Sequence, residues 1–321
     1  MKTKWKRSIM TLLLVISLCT NTLAASDTLV PVGKAVGIHL CGSLVVVGFD
    51  EEIGAAAQSA GVRVGDRIVA VNGVEATSLE SLRLASDEQT GVHLVVERKG
   101  TPIEFYLSPV QTAQGKRIGL KVRDGITGIG TVTFYDPDSG HFGALGHSVN
   151  DPETGECIAI SGGSIMAASV TDVVEGKPGV PGALKGSFAI EDCLGEITAN
   201  APEGIFGTIH QPMDCQKALP IADATQVRTA QAQILSNVAG TEVRPYQVRI
   251  TGIEADNQTG RNFSFQVCDD ALLAQTGGIV QGMSGSPVIQ DGRLIGAVTH
   301  VLVDDPTRGY GIFIENMLNA A

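Results

Sequence analysis

Two short segments of the chain carry residues that together could cleave an amide bond. In the segment Gly282–Pro287, Ser284 is followed by Gly285 and the segment is closed by a proline. Glycine tolerates the backbone angles of a tight turn, so a serine in such a turn can approach a substrate closely. The N–H groups of Gly282 and Ser284 could then stabilise a developing oxyanion. This segment predicts a nucleophile together with its oxyanion hole.

The candidate general base for this serine is a histidine far upstream. His147 follows Gly146 at the end of a predicted strand. A serine hydroxyl is a weak nucleophile until an adjacent base accepts its proton, and an imidazole titrates close enough to neutral pH to do so. Ser284 and His147 are too far apart in sequence to meet except through the tertiary fold. The two segments therefore predict a serine peptidase.

Other interpretations of these residues remain open from sequence alone. Ser286 could be the nucleophile if the turn had a different register, and His147 could be a structural histidine. His300 lies in a predicted strand, where it either packs and forms hydrogen bonds or lines a substrate pocket. The remaining four histidines are predicted to be surface or structural residues: His39, His93, His141 and His210.

The composition indicates a β-rich protein that does not bind nucleic acid. The chain has 321 residues, of which 39 are glycine and only 4% are aromatic. Many glycines and frequent runs of valine and isoleucine favour strands joined by turns, and the length allows two domains with real cores. The formal net charge of −11 repels phosphate backbones. The cysteines form no CxxC motif or Cys/His cluster, so the sequence predicts no metal site, and serine chemistry requires no cofactor.

Residues 1–25 form a separate segment. Their features are a basic start, an apolar run and small residues at a plausible cleavage site, namely Lys2, Lys4, Lys6 and Arg7, then Ile9–Cys19, then Thr22–Ala24. The apolar run is short for a membrane-spanning helix, which needs about 20 residues. It predicts a signal peptide or an uncleaved N-terminal anchor, and in either case the body of the protein is exported. Residues 26–33 are predicted to be a short linker.

Residues 34–110 are predicted to form a compact unit of strands and short helices. The segments Ala60–Val62, Val64–Ile68 and Val71–Gly73 resemble a PDZ domain of the kind found in bacterial proteases. PDZ domains bind an extended peptide, often a C-terminus, as an added strand at a sheet edge. The resemblance therefore implies a peptide partner.

The sequence does not identify the residues with which this PDZ unit would bind a peptide. A PDZ carboxylate-binding loop usually has the pattern Gly-Φ-Gly-Φ, in which Φ is an apolar residue. The candidates Val36–Leu40 and Val47–Phe49 both depart from that pattern. The unit could also be a docking or spacer domain that binds no free peptide.

Residues 118–321 have a different pattern, with many short strands separated by glycine turns. Such regular short strands are typical of a sandwich or barrel, and the length suits a pair of small β-barrels. Short helices are predicted at Asp270–Gln275 and at Ile314–Leu318.

Three segments of this region, Gly143–Val149, Gly277–Pro287 and Gly296–Val301, resemble the SpoIVB family. These are sporulation signalling peptidases of endospore-forming bacteria. The resemblance implies a mostly β protein in which a PDZ domain precedes a trypsin-like double β-barrel over residues 118–321. It also implies a catalytic triad in the order His, Asp, Ser. On this sequence the triad falls on His147, Asp269 and Ser284, with Asp270 as the competitor of Asp269.

The resemblance further implies a biological role. Such an enzyme is secreted into the space between the two membranes of the forespore. It cleaves itself near its N-terminus and cleaves a regulatory membrane-protein complex, which leads to processing of a sigma-factor precursor. Only about eight residues separate the predicted signal from the PDZ unit, where relatives often have a longer linker. Two alternatives are a non-catalytic PDZ adaptor with a degenerate peptidase domain, and an esterase with the same triad.

Overall fold

The computed structural model describes residues 27–76, 78–87, 90–113, 115–152, 155–211, 213 and 217–321. The predicted signal or anchor, residues 1–25, lies outside the described residues. Strands make up 56% and helices 10% of the structure, which confirms the mostly β class. Within the described ranges, no helix is long and apolar enough to cross a membrane.

The strands in chain order are β1 Thr28–Pro31, β2 Ala35–Phe49, β3 Arg67–Val71, β4 Val74–Glu75, β5 Val92–Arg98, β6 Thr101–Leu107, β7 Val110–Thr112, β8 Gly115–Arg117, β9 Leu120–Tyr135, β10 His141–Ala144, β11 Gly162–Val174, β12 Ala183–Ala201, β13 Gly204–Ile209, β14 Leu219–Pro220, β15 Gln231–Ser236, β16 Arg244–Ile253, β17 Phe263–Val267, β18 Pro287–Gln290, β19 Arg293–Leu302 and β20 Asp305–Phe313. The helices are α1 Ala55–Ala60, α2 Leu79–Asp87, α3 Asp270–Thr276 and α4 Ile314–Ala320, with a 3₁₀ turn at Ala224–Gln226.

Six antiparallel strands close into a first barrel in the order β2, β9, β10, β13, β12, β11 and back to β2. Its interior is filled by branched side chains that alternate along the strands, among them Ile38, Val132, Ile165, Ile197 and Ile205. Alternation of this kind directs every second residue into the core of a closed sheet.

A second closed barrel has the order β15, β16, β17, β20, β19, β18. Buried residues such as Ile234, Val248, Phe263, Phe265 and Val298 form its core. When the six strands of each barrel are numbered along the chain, both barrels have the order 1-2-3-6-5-4. Two barrels with this shared order confirm the predicted trypsin-like double β-barrel.

The PDZ unit is an insertion between the first two strands of the first barrel. The Ala35–Leu40 part of β2 pairs with β9 inside the barrel, whereas the Leu44–Phe49 part pairs with Leu120–Asp124 of β9 inside the PDZ unit. Gly125 lies where β9 passes from one to the other. Its φ is +72°, and a Cβ there would overlap the carbonyl oxygen of Leu40. Only glycine fits this crossing point.

The structure thus differs from the predicted linker at residues 26–33. β1 pairs with both β9 and β14, and Leu29 is 2% exposed. It also differs from the predicted start and end of the PDZ unit, because residues 35–40 belong to the barrel and Ile118 and Leu120 pack in the PDZ core. A strand shared by two domains has the same alternating pattern throughout, so its sequence does not mark the boundary.

Candidate active site

Ser284 lies on a tight turn between α3 and β18. The flanking glycines have left-handed backbone angles, with φ +96° at Gly282 and +94° at Gly285. A Cβ at Gly285 would overlap the carbonyl oxygen of Thr131 on β9. The turn of the second barrel is therefore packed directly on a strand of the first barrel, and this close approach requires glycine.

Some backbone N–H groups of this turn are hydrogen-bonded and others are not. Met283 N–H donates to Val280 O at 3.1 Å, Gly285 N–H to Val298 O at 2.7 Å and Ser286 N–H to Met283 O at 2.9 Å. Within the described chain, the N–H groups of Gly282 and Ser284 have no such acceptor. Two free donors, one of them on the serine itself, are what a developing oxyanion requires.

The hydroxyl of Ser284 is half-buried and is already hydrogen-bonded. Its Oγ donates to the carbonyl oxygen of Thr299 on β19 at 2.8 Å. This bond fixes the Ser284 side chain in one rotamer. The hydroxyl proton therefore points to Thr299 and not to the His147 ring. Transfer of that proton to His147 therefore requires a rotation of the Ser284 side chain.

His147 follows β10 through two residues with left-handed backbone angles, Leu145 with φ +68° and Gly146 with φ +71°. Its ring Nδ1 lies 2.8 Å from the carbonyl oxygen of Ser148. Because a carbonyl can only accept, the proton is assigned to Nδ1, and Nε2 is left as an acceptor. Burial lowers the pKa of His147 below its usual value, and the bond to Ser148 opposes that shift. The ring is therefore a neutral base at neutral pH.

The structure brings His147 and Ser284 to the same stretch of β19, Thr299–His300. A Cβ on Gly146 would lie 2.9 Å from the Thr299 side chain, and the His147 and His300 rings are 5.3 Å apart between centroids. Ser284 is bonded to the Thr299 carbonyl. The candidate base thus comes from the first barrel, the candidate nucleophile comes from the second, and both lie beside this stretch of β19.

The third residue of the predicted triad, Asp269, lies directly before α3. It is the N-cap of α3: its Oδ1 accepts from the N–H groups of Ala271 and Leu272, both at 3.1 Å, and its Oδ2 accepts from Gln247 N–H at 3.1 Å. His147 is not among these partners. An aspartate directly before a helix satisfies free N–H groups of the first turn. Asp270, the competitor, is exposed in that first turn.

The other candidates have distinct environments. Ser286 is fully buried, and its Oγ has no partner among the described residues. The ring Nδ1 of His300 is likewise buried without a partner. Burial, with smaller effects from His147 and Arg261, lowers the pKa of His300 to about 4. Of the two serines, Ser284 is the one whose hydroxyl is partly accessible.

Thr131 is a functional candidate that the sequence does not reveal. This buried residue of β9 donates from Oγ1 to Gly282 O at 2.7 Å and from N–H to Ser284 O at 3.1 Å. Its own carbonyl accepts from Leu145 N–H at 3.2 Å. Thr131 therefore links the serine turn to the chain that leads to His147. Its sequence context is that of an ordinary strand residue and gives no signal.

A second missed feature is the loop that leads into β9. Ile118, Gly119 and Leu120 follow the Φ-Gly-Φ part of the PDZ carboxylate-loop pattern, and Gly119 has φ +74°. The pattern was present in the sequence, but it lies after residue 110, the predicted end of the PDZ unit. In the structure it leads into β9, of which Leu120 is the first residue and pairs with Phe49 of that unit.

The fold and the site define a serine peptidase with a trypsin-like double barrel and an inserted PDZ domain. The SpoIVB peptidase S55 family model matches residues 114–318, more than half of the chain, and a PDZ-domain family model matches residues 51–98. The chain belongs to the SpoIVB peptidase family.

Similar proteins were also found among curated sequences and solved structures. A protein of Agrobacterium fabrum named as a zinc metalloprotease, Atu1380, is 33% identical over 98 residues, which are 30% of this chain and 25% of that protein. The chain thus spans about a quarter of that relative. The Rv3671c protease from M. tuberculosis is 17% identical in its active form, with a TM-score of 0.34 over 60% of this chain and 72% of that chain. Its inactive form is 15% identical, with the same TM-score over 60% and 81%.

Proposed function

We propose that this chain is an exported serine endopeptidase in which Ser284 is the nucleophile and His147 is the general base. The observation that carries the proposal is the turn at Ser284. It leaves the N–H groups of Gly282 and Ser284 free and lies beside the strand segment that His147 also approaches.

The first chemical step follows from these positions. The Ser284 hydroxyl turns from the Thr299 carbonyl towards His147, and its proton passes to Nε2 as Oγ bonds to the scissile carbonyl carbon. The negative oxygen is stabilised by the N–H groups of Gly282 and Ser284. His147 then gives the proton to the leaving amine, and water releases the acyl group by the same steps in reverse.

The third residue acts on the site by positioning. The resemblance assigns the third triad position, which orients His147, to Asp269. We infer instead that Asp269 serves catalysis by capping α3, the helix that leads into the Ser284 turn. The proton on Nδ1 of His147 is held by the Ser148 carbonyl. A backbone acceptor in that place fixes the tautomer without supplying a negative charge.

The biological role is proposed from family membership and the PDZ domain. The enzyme acts outside the cytoplasmic membrane, in the space between the two membranes of the forespore. There it cleaves itself and a membrane-embedded regulatory complex, and this cleavage triggers processing of a sigma-factor precursor. Its partners are therefore protein substrates, its own chain and a PDZ-bound peptide.

The test is labelling of purified residues 26–321 with a fluorophosphonate, together with the mass of any self-cleavage fragments. Wild type should be labelled and processed, whereas Ser284→Ala and His147→Ala should lose both by roughly 10⁴-fold or more. Ser286→Ala is the matched control and should label like wild type. Equal behaviour of wild type and Ser284→Ala would overturn the mechanism.

A second candidate function is a non-catalytic PDZ adaptor. The bond from Ser284 Oγ to Thr299, rather than to His147, favours this alternative. Complementation of a sporulation-deficient strain separates the two functions. An adaptor remains active as Ser284→Ala, whereas a peptidase does not.

A further inference from the structure

We propose that His147 and His300 together bind a zinc ion, and that this ion inhibits the peptidase reversibly. The inference rests on the proposed function, because the ion would occupy the nitrogen through which His147 accepts the Ser284 proton. His147 follows β10 of the first barrel, whereas His300 lies on β19 of the second. Only the fold brings the two side chains together, so no spacing in the sequence indicates this site.

The two imidazole rings lie at the separation that a shared zinc ion requires. The centroids of the His147 and His300 rings are 5.3 Å apart. A zinc–nitrogen bond is about 2.0–2.1 Å long, so two imidazoles bound to one tetrahedral zinc ion have their centroids about 5 Å apart. The observed separation therefore allows one ion to bind both rings without a large movement of either strand.

The tilt between the rings allows their lone pairs to converge. The angle between the two ring planes is 41°. The lone pair of an imidazole nitrogen lies in the plane of its ring. Two parallel stacked rings cannot direct their lone pairs to one point, whereas two tilted planes intersect along a line on which a metal ion can lie. The arrangement of the two rings thus suits chelation better than stacking.

Each ring has a nitrogen that is available to a metal ion. Nδ1 of His147 donates to the Ser148 carbonyl at 2.8 Å, which leaves a lone pair on Nε2. A metal-binding histidine usually donates its other ring N–H to a carbonyl or carboxylate in this way. Nδ1 of His300 is buried and has no hydrogen-bond partner among the described residues. A buried nitrogen without a partner requires an explanation, and a role as a metal ligand supplies one.

The donor set favours a transition metal and makes its binding reversible. Imidazole nitrogens suit zinc, whereas magnesium and calcium prefer oxygen ligands. Within the described ranges, no group of three or more His, Cys, Asp or Glu side chains could hold a metal. The two histidines would therefore be the only charged or imidazole ligands, and water or the Ser284 hydroxyl would complete the tetrahedron. Such an open site suits an inhibitor that is released, and not a permanent structural ion.

The charges around the pair modulate its affinity for a cation. The net charge of −11 attracts cations to the chain as a whole. Arg261 opposes this attraction locally, because its guanidinium lies 5.3 Å from the centroid of the Tyr310 ring and Tyr310 pairs with His300. Arg261→Gln should therefore bind zinc more tightly than the parent protein. Weaker binding by this variant would contradict an ion beside His300.

A zinc ion at this position blocks the first chemical step. Nε2 of His147 has one lone pair, which binds either the ion or the proton of Ser284. While the ion is bound, the Ser284 hydroxyl has no base and stays a weak nucleophile. Its proton remains on the Thr299 carbonyl, as in the present structure. A chelator that removes the ion should restore the base.

Binding is tested by calorimetric titration of zinc chloride into residues 26–321 that carry Ser284→Ala and no affinity tag. This protein keeps both histidines and has no nucleophile, so the result does not depend on catalysis. We expect one zinc ion per chain. Adding His147→Phe or His300→Phe, which keeps a ring and removes the lone pairs, should weaken binding by about tenfold or more. Circular dichroism checks folding, and His300→Asn replaces His300→Phe if that variant is unfolded.

His93→Phe is the matched control for binding. The His93 ring is stacked on Tyr106, and its Nε2 lies 3.0 Å from Glu104 Oε2, so it is the competing histidine for zinc. Zinc binding should be unchanged in this variant. The proposal is refuted by an absence of binding, by normal binding in the His147 and His300 variants, or by loss of binding in His93→Phe.

Inhibition is measured as the rate of fluorophosphonate labelling, and each protein is compared with itself in zinc and in EDTA. Zinc should slow the labelling of wild type, EDTA should reverse this, and magnesium should have no effect. In His300→Phe, about tenfold more zinc or more should be needed for the same slowing. Zinc binding without slower labelling would disprove the inhibitory role. If wild type is not labelled even in EDTA, the proposed peptidase function fails while the metal site stands or falls by calorimetry.

Discussion

The two barrels share one strand order but differ in the connection between their first and second strands. In the second barrel, β15 and β16 are joined by a short loop over residues 237–243. In the first barrel, the same position holds a whole PDZ unit between the barrel parts of β2 and β9. The comparison shows that this connection lies outside the barrel core, so its length is free to change while the strand order is kept.

The barrels also differ in what they give to the site. The first barrel supplies His147 and the bracing Thr131, and the second supplies Ser284 and the free N–H groups of Gly282 and Ser284. In the proposed mechanism, the contact between the barrels is therefore as important as either barrel alone. Four substitutions or deletions test this division, from the largest expected effect to the smallest.

Gly285→Ala should separate the barrels at their tightest contact. Its φ is +94° and the new Cβ would overlap the Thr131 carbonyl, so we expect a loss of about 3 kcal/mol in the free energy of unfolding, with loss of labelling. Gly292→Ala is the matched control: φ is +75°, but no atom lies within 4 Å of the new Cβ. Denaturant unfolding of both variants checks the prediction. Similar losses would mean that backbone strain, and not the barrel contact, sets the cost.

Asp269→Ala should weaken the second barrel where α3 begins. It removes the acceptor for three backbone N–H groups, so we expect a loss of about 1–2 kcal/mol in unfolding free energy and a slower labelling rate. Asp270→Ala, at the exposed neighbour, should change little. A fall of roughly 10⁴-fold in labelling at unchanged stability would instead show that the Asp269 charge orients His147 directly.

Replacing residues 42–124 by an Asn-Gly turn should make the first barrel resemble the second. Leu40 and Ile126 are already paired, so a two-residue hairpin can close the gap. We expect a folded peptidase that is labelled about tenfold more slowly, because the bond from Arg123 of β9 to Asp151 in the loop after His147 is lost. Circular dichroism and labelling check this, and an unfolded product would show that the first barrel needs its insert.

The variant His300→Gln should lose less stability at acidic pH than wild type does. Folded His300 has a pKa of about 4, whereas unfolded histidine titrates near 6.5. Between these values the unfolded state binds more protons, so stability is lost as pH falls from about 6.5 towards 4. His147, whose pKa is also lowered, acts in the same direction. Unfolding at pH 7 and pH 5 should show a smaller loss for the variant, and parallel losses would contradict this.

The sequence predicts the parts of this molecule that local chemistry determines. The glycines around Ser284, the strand end at His147 and the glycine-punctuated strands all indicate a serine peptidase built on β-barrels, and the family match confirms this class. Asp269 was found by resemblance, but its bond from the N–H of Gln247 could not be predicted, because only the fold brings Gln247 near.

The features that the sequence could not predict depend on which strands pair and on which residues the fold brings into contact. The alternation in β2 and β9 is the same in the barrel and in the PDZ unit, so the insertion could not be predicted from it. Thr131 and Thr133 lie two residues apart on one strand. Only tertiary contacts make the first a brace and leave the hydroxyl of the second without a partner among the described residues.

The shared strands also affect the order in which the chain folds. Closing the first barrel requires β2 to find β9 across the whole inserted unit, and such distant pairings are slow because loop closure costs entropy before any contact forms. A PDZ unit that folds first, around its own core of Leu44, Val46, Leu94 and Ile118, brings both strands together and fixes their register. The insert would then serve as a folding nucleus for the barrel that contains it.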